Sequence, residues 1–211
     1  MEARLHSKNF DKLRPKADLL LILGDGRCLK EDLDAFMPWQ IPHDVGAIGR
    51  STKAYPGTVH HWFNADGDGA KHWAENLPNG NGAIRHTLGE FEGFDCDWEI
   101  VQPDYHNSLI TNEAGPRLHG SSSLFATLAA LSMGYERVVL AGCPLDTEGH
   151  WYYGEQLYKT QPREVYGPVW LGYDFMAWLD FIQQPESLRV RSMSGYTKKI
   201  LGEATKEWLT M

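Results

Sequence analysis

One stretch of the sequence, residues 121–142, constrains the fold more than any other. Three serines precede an alanine- and leucine-rich segment that ends at Gly134, and the aliphatic run of residues 138–140 follows and stops at Gly142. Serine caps the start of helices, alanine and leucine propagate them, and glycine ends them. A short aliphatic run stopped by glycine is typical of a strand buried on both faces. The stretch therefore predicts a helix, a tight link and a buried strand, which is half of a βαβ unit.

The rest of the chain repeats this alternation. An apolar run at residues 17–23 also ends at glycine, and residues 29–36 have the spacing of a short helix. Further strands are predicted at residues 44–49, 58–63, 83–86, 98–101 and 188–193, and further helices at 68–77, 169–182 and from 197. Strands alternating with helices predict an α/β fold with a mostly parallel sheet flanked by helices. We expect one modified Rossmann-like, nucleotide-binding domain over residues 1–211, with residues 1–16 as an N-terminal extension.

Composition limits the classes of function. The 211 residues carry 20 lysines and arginines against 28 aspartates and glutamates, a net charge of −8. This balance argues against general nucleic-acid binding but leaves room for a small anionic ligand, which needs only a few local donors. No apolar run has the roughly 20 residues of a membrane span, and no signal-peptide core precedes the domain, so we expect a cytoplasmic protein. Three scattered cysteines do not form a disulfide framework or a thiolate metal site.

Aromatic residues are abundant for a chain with a mean hydropathy of −0.42: they make up 12% of it and include eight tryptophans. Large rings either fill a core or line a ligand site. Helical spacing assigns four of them to the core, namely Phe125, Trp170, Phe175 and Trp178. Three others follow a predicted strand and are predicted to face a substrate, namely Trp151, Tyr152 and Tyr153.

The segments that follow the strands are the candidate site, because ligands of an open parallel sheet bind beyond the carboxyl ends of its strands. After the first buried strand come Gly24, Asp25 and Gly26, whose backbone would approach a ligand closely. A tight turn without a ligand is the alternative, since neither the full dinucleotide fingerprint nor a P-loop is present. Asn64 follows another predicted strand and offers an amide for a base or ribose.

The start of the serine-capped helix is the second candidate. Hydroxyls and amides of Ser121 and Ser122, at the positive end of the helix dipole, would bind a phosphate. Arg117 and His119 precede them and favour the anion interpretation, whereas helix capping alone is the alternative. His119 and His150 lie in predicted loops and are the candidate acid–base groups.

Two acidic residues next to Asn64 raise the question of a metal. Asp66 and Asp68 would hold a cation through their carboxylates, but no third ligand is near them in the sequence, and acids in glycine-rich loops commonly form turns. We therefore expect no required metal or cofactor, except that Mg²⁺ would be needed if the protein were an ATP-dependent diphosphokinase.

These segments, in order, resemble the bacterial sialyltransferases of the Campylobacter lipooligosaccharide type. That family has a Gly-Asn-Gly-Pro-Ser-Leu-Lys turn where residues 24–30 read Gly-Asp-Gly-Arg-Cys-Leu-Lys, and an asparagine in a Phe-Tyr-Asn context that is similar to Phe63-Asn64. Its strongest block, a serine, an apolar helix, Gly-Tyr, a strand, a glycine turn and Gly-x-x-Tyr, is similar to residues 122–152. The motility-associated glycosyltransferase-like proteins and archaeal pterin diphosphokinases resemble it in the same order of elements.

The resemblance implies a nucleotide bound at the strand ends, in those sialyltransferases the CMP of the donor, and transfer of a sugar to a saccharide or other hydroxyl acceptor without a metal. The matched binding positions are the first-turn glycines, Asn64, Ser122 and Tyr152. The histidine base of the family has no counterpart in residues 166–170, so His119 or His150 is the expected base.

The resemblance leaves a role for one cationic side chain and two alternatives to a glycosyltransferase. Arg117, Ser121 and the helix end would stabilise the departing phosphate. The first alternative is an ATP-dependent, diphosphokinase-like transfer in which Asp66 or Asp68 holds Mg²⁺. The second is a module that binds a nucleotide without catalysis.

Overall fold

The architecture of the chain is given by a computed structural model, which describes residues 2–5, 13–65, 82–101, 121–146 and 168–211. The strands within these residues are β1 (Glu2–Leu5), β2 (Leu19–Leu23), β3 (Asp44–Ile48), β4 (His61–Asn64), β5 (Ile84–Leu88), β6 (Cys96–Val101), β7 (Arg137–Ala141) and β8 (Val190–Ser192). The helices are α1 (Leu29–Phe36), α2 (Ser122–Met133), α3 (Pro168–Ile182), α4 (Gly195–Leu201) and α5 (Lys206–Thr210). The helix at residues 68–77 lies outside the described residues.

All eight strands form one sheet in the order β1-β6-β5-β4-β3-β2-β7-β8. Every neighbouring pair from β6 to β8 is parallel, and only β1 runs antiparallel, along the edge of β6. The predicted α/β class with a mostly parallel sheet flanked by helices is therefore confirmed. The segment predicted as an N-terminal extension contributes β1, a strand that its sequence, EARL, does not reveal because it has no apolar run.

The central strand β2 explains why the sheet carries helices on both faces. All five of its residues are buried, and alternation along the strand divides them between two cores. Leu20 and Ile22 belong to the core that includes Phe125 of α2 and Trp178 of α3, both fully buried as predicted. The other core packs α1 against the opposite face. A strand buried on both faces needs the continuous apolar run seen here rather than an alternating one.

The other two aromatic residues that were predicted to lie in the core are not both described by the structure. Phe175 is only partly buried, and its ring packs edge-on against Tyr196 with 6.4 Å between centroids. The Trp170 side chain lies outside the described residues. Two tryptophans that the helical spacing did not select, Trp62 and Trp98, are fully buried on strands of the sheet.

The chain reverses its direction of travel across the sheet at β2. From β2 it proceeds outward through β3, β4, β5 and β6, and it then returns to place β7 on the other side of β2. The carboxyl ends of β2 and β7 therefore border the topological switch point, which is where open α/β sheets bind their ligands.

Candidate functional site

The turns that follow β2 and β7 touch each other at the switch point. Gly24 donates its N–H to the carbonyl of Ala141, and Gly26 donates to the carbonyl of Gly142, each over 2.7 Å. A Cβ atom on Gly24 would lie 2.5 Å from Cys143 Sγ, and one on Gly26 would lie 2.7 Å from the Gly142 oxygen. The glycines are thus required for the two turns to meet, and this contact forms the floor of the candidate site.

A Gly24→Ala substitution is expected to lower the free energy of unfolding by about 3 kcal/mol, because the new methyl group overlaps backbone atoms that cannot move without breaking the turn. Gly134→Ala is the control: its φ is +98°, but nothing lies within 4 Å of a Cβ atom there, so only backbone strain of about 1–2 kcal/mol is expected. Urea unfolding measures both. Equal losses would show that the tight contact is not what selects glycine.

A buried carboxylate on α1 forms hydrogen bonds to the turn after β7 and to the turn before α4. Oδ2 of Asp32, on α1, accepts hydrogen bonds from the Gly142 N–H and from the Ser194 hydroxyl, each over 2.8 Å. Burial raises the pKa of this carboxyl, while the two donors act in the opposite direction. Asp32 therefore joins α1, the turn after β7 and the turn before α4 into one rigid edge.

The Cys28 thiol is an inert part of the same edge. Its sulfur lies 2.9 Å from Ser194 Oγ, which donates its single proton to this sulfur or to Asp32 Oδ2. Burial raises the pKa of Cys28 to about 12. Cys28 is therefore protonated at neutral pH and is not a thiolate nucleophile.

The predicted residues of the first turn and of β4 lie along this carboxyl edge. Asp25 Oδ2 accepts a hydrogen bond of 3.3 Å from the Arg50 N–H, which ties the turn after β2 to the turn after β3. Asn64 is the last residue of β4 and is 9% exposed. The edge thus brings Gly24, Asp25, Gly26 and Asn64 to the carboxyl ends of β2 and β4, two parallel strands that flank β3.

The serines at the start of α2 have different roles. Ser121 Oγ accepts hydrogen bonds from the Leu124 N–H and from Trp178 Nε1, at 3.2 and 3.1 Å, so Ser121 is a buried helix cap. Ser122 and Ser123 follow in the first turn and are half-buried. Because α2 leads through Gly134 into the start of β7, its N-terminus lies at the carboxyl edge of the sheet. The Ser123 hydroxyl lies 3.2 Å from that of Ser121, so Ser122 is the serine of this turn that we consider as a ligand contact.

Several predicted residues lie outside the described residues. They are the proposed acid–base and cation groups, the acidic pair and the aromatic loop: Arg117, His119, His150, Asp66, Asp68, Trp151, Tyr152 and Tyr153. Their roles stay predictions. Within the described ranges, no three histidine, cysteine, aspartate or glutamate side chains are grouped to hold a metal ion, and no helix is long and apolar enough to cross a membrane.

A chain of buried polar side chains, which we call the buried relay, was not predicted from the sequence. Trp98 Nε1 donates to His86 Nδ1 (3.0 Å), His86 Nε2 lies 2.9 Å from His61 Nδ1, His61 Nε2 lies 2.9 Å from the Tyr135 hydroxyl, and that hydroxyl donates to Asp44 Oδ2 (2.9 Å). Asp44 and His61 are the first residues of β3 and β4, so this end of the relay lies at the amino edge. The other end, Trp98, pairs with Leu88 at the carboxyl end of β5, so the relay runs through the core from one edge of the sheet toward the other.

The proton positions along the buried relay follow from its first donor. An indole nitrogen only donates, so Nδ1 of His86 accepts and its Nε2 carries the proton. The same logic makes His61 donate from Nε2 to Tyr135. Burial lowers the pKa of His61 to about 4 and that of His86 well below its ordinary value, so both rings are neutral. All hydrogen bonds of the relay point toward Asp44.

The sheet topology defines an α/β protein of Rossmann-like architecture. Its candidate site lies at the switch point, next to the glycine turn after β2. No protein-family model, curated protein or solved structure matches the chain. The resemblance to the sialyltransferases accordingly rests on the motifs quoted above.

Proposed function

We propose that the protein is a nucleotide-dependent glycosyltransferase, which transfers a sugar from an activated donor, a CMP-linked sugar in the first instance, to a hydroxyl acceptor. One observation carries the proposal: the N-terminus of α2 and the glycine turn after β2 lie at the same carboxyl edge, beside the switch point. Helix N-termini and glycine turns are the two features by which α/β proteins hold the phosphates of nucleotides.

The residues at this edge would contact different parts of the donor, according to their chemistry. The hydroxyl of Ser122 and the amides at the N-terminus of α2 stabilise the phosphate, and they do so most when it departs with additional negative charge. Asn64 supplies both a donor and an acceptor, which suits a base or a ribose. Gly24 and Gly26 let the turn after β2 pack closely against the turn after β7, which fixes the shape of the site between them.

The residues predicted from the sequence complete the reaction. Arg117 adds a cation beside the phosphate and Tyr152 contacts the nucleotide. A general base takes the proton of the acceptor hydroxyl, and the sequence alone suggests His119 or His150 for it. The net charge of −8 is compatible with this site, because the donors that bind the anion are local.

A thermal-shift screen tests the proposal. The ligands are CMP, UDP, GDP, ATP and CMP-, UDP- and GDP-linked sugars, each with and without Mg²⁺. A ligand at a hundred times its Kd stabilises the folded state by about 2.7 kcal/mol. We expect CMP or a CMP-sugar to raise Tm without Mg²⁺. A shift with ATP that requires Mg²⁺ would support diphosphokinase-like transfer instead, and no shift with any ligand would contradict nucleotide binding.

Ser122→Asp is expected to separate binding from folding. An acidic residue in the first turn of a helix is favourable by about 0.3–1 kcal/mol, so Tm should be unchanged or raised. The same charge repels a phosphate, so we expect nucleotide affinity to fall at least about tenfold, which corresponds to about 1.4 kcal/mol. Ser132→Asp, the same change near the other end of α2, is the matched control and should bind normally. Unchanged affinity in Ser122→Asp would contradict the phosphate site.

A further inference from the structure

Helix α3 carries a carboxyl on the face that packs against the core. Asp174, Trp178 and Phe181 are spaced by four and three residues, so they lie on one face, and both aromatic rings are fully buried. Oδ1 of Asp174 is buried and has no hydrogen-bond partner among the described residues. A buried polar atom without a partner costs stability, so its presence on this face calls for a reason other than packing.

The contacts of the same face bring this part of α3 to the N-terminus of α2. Trp178 Nε1 donates to Ser121 Oγ over 3.1 Å, so this part of α3 lies against the N-terminus of α2. Helix α3 leads into β8, which is parallel to β7, and its own N-terminus therefore lies at the carboxyl edge. Asp174 precedes Trp178 by one turn, about 6 Å along the helix axis. Its backbone is thus one turn nearer the carboxyl edge than that of Trp178, whose indole contacts the N-terminal cap of α2.

We propose that Asp174 is the general base of the transfer reaction, an assignment that rests on the proposed function. Its carboxylate removes the proton of the acceptor hydroxyl, and the oxygen forms a bond to the anomeric carbon of the sugar. The bond between that carbon and the phosphate oxygen breaks, and the nucleotide leaves with the electron pair at the N-terminus of α2. The proton remains on Asp174 until it passes to solvent. Water serves as the acceptor when no other hydroxyl is present.

The environment of Asp174 suits this role. Burial raises the pKa of its carboxyl to about 7, and no charged side chain among the described residues adds to the shift. The side chains that share its face of α3, Trp178 and Phe181, are neutral. On α4, which packs against Phe175 through Tyr196, the charged side chain of Lys199 contacts the Tyr196 ring. A base works best when its pKa lies near the operating pH, because it is then both deprotonated and basic enough to take a proton. This base differs from the histidines expected from the sequence, His119 and His150.

The decisive experiment compares wild type, Asp174→Asn and Asp180→Asn for the release of nucleotide from CMP-, UDP- and GDP-linked sugars between pH 5 and 9. Asp180 is on the same helix but exposed, so its variant is the matched control. For Asp174→Asn we expect the rate to fall about 10²–10⁴-fold and the rise in rate centred near pH 7 to disappear. The Asp180→Asn variant should retain both the rate and the rise.

Two parallel measurements separate catalysis from structure and from binding. Asp174→Asn removes a buried charge, so its Tm should exceed that of wild type at pH 8, with a smaller difference at pH 5; a lower Tm at pH 8 would mark a structural group and overturn the proposal. Its nucleotide-induced thermal shift should persist. An unchanged rate, a lost thermal shift in the variant alone, or no release from any donor by wild type would also overturn it. Absence of any shift in wild type would instead refute the proposed function.

Discussion

Asp44→Ala is expected to lower the free energy of unfolding by about 3–5 kcal/mol, because it leaves several buried donors without an acceptor. Oδ2 of Asp44 accepts from the Tyr135 hydroxyl at 2.9 Å and from the Lys16 N–H at 2.8 Å. The carboxylate also ends the buried relay, so its loss leaves the orientation of the Tyr135 proton undefined. Asp18→Ala, an exposed change two residues from Lys16, should cost less than about 0.5 kcal/mol.

A double-mutant cycle tests whether the buried relay acts as a unit. Tyr135→Phe removes the acceptor of the His61 proton and one donor to Asp44, and we expect it to cost about 1–3 kcal/mol alone. The side chains of Tyr135 and Asp44 are hydrogen-bonded to each other. The double variant should therefore lose at least about 1 kcal/mol less free energy of unfolding than the sum of the losses in the two single variants. Urea unfolding at pH 7.5 supplies all four values. Strict additivity would contradict a coupled network.

Acid is expected to destabilise the protein between about pH 6.5 and pH 4 through the histidines of the buried relay. The pKa of His61 is lowered to about 4 by burial, against the effect of Asp44 and with small additional contributions from His60 and Lys16. A group whose folded pKa lies below its unfolded value stabilises the folded state above the unfolded pKa, and this contribution is lost as the pH falls. For His61 the loss is about 3 kcal/mol. His86, whose pKa is also lowered, adds a loss of the same sign.

Two carboxyls, of the buried Asp32 and the half-buried Asp174, act in the opposite direction and provide the control. The pKa values of Asp32 and Asp174 are raised by burial, so the folded state takes up their protons first and is stabilised on acidification. The free energy of unfolding should therefore fall more steeply with acid in Asp174→Asn than in wild type. Between about pH 5 and 6 the two slopes should differ by up to about 1.4 kcal/mol per pH unit, which corresponds to one bound proton. Urea unfolding at several pH values gives the slopes. Stability that does not fall from pH 6.5 to 4.5 in Asp174→Asn would contradict neutral histidines in the relay.

The fold was predictable because its main signals are local. Aliphatic runs stopped by glycine mark β2 and β7, and the apolar spacing of residues 29–36 gives α1 with the observed bounds. By contrast, β1 is defined by the edge that β6 offers, about 95 residues away in the chain, and its own four residues carry no pattern. The start of β4 at His61, rather than at residue 58, is likewise set by pairing with β3.

The candidate site was predictable in position but not in detail. The rule for parallel sheets located the glycine turn and Asn64 at the correct edge, whereas the role of Ser121 as a buried cap depends on Trp178, which lies 57 residues later. The buried relay joins residues from five separate segments, so no spacing reveals it. Asp174 has a visible signal, because it is an acidic residue on the same helical face as Trp178 and Phe181, but the spacing of the aromatic rings alone does not indicate it.

Backbone amide shifts of the ¹⁵N-labelled protein, titrated with CMP and a CMP-sugar, test the central claim most directly. If a nucleotide binds at the carboxyl edge, the largest shifts should fall on Gly26, Asn64 and Ser122, while the amide of His61 at the amino edge should not move. The same titration of Ser122→Asp should show weaker shifts at these positions. Shifts confined to the amino edge, or none with CMP, the CMP-sugar or the other nucleotides of the screen, would contradict a nucleotide site at the switch point.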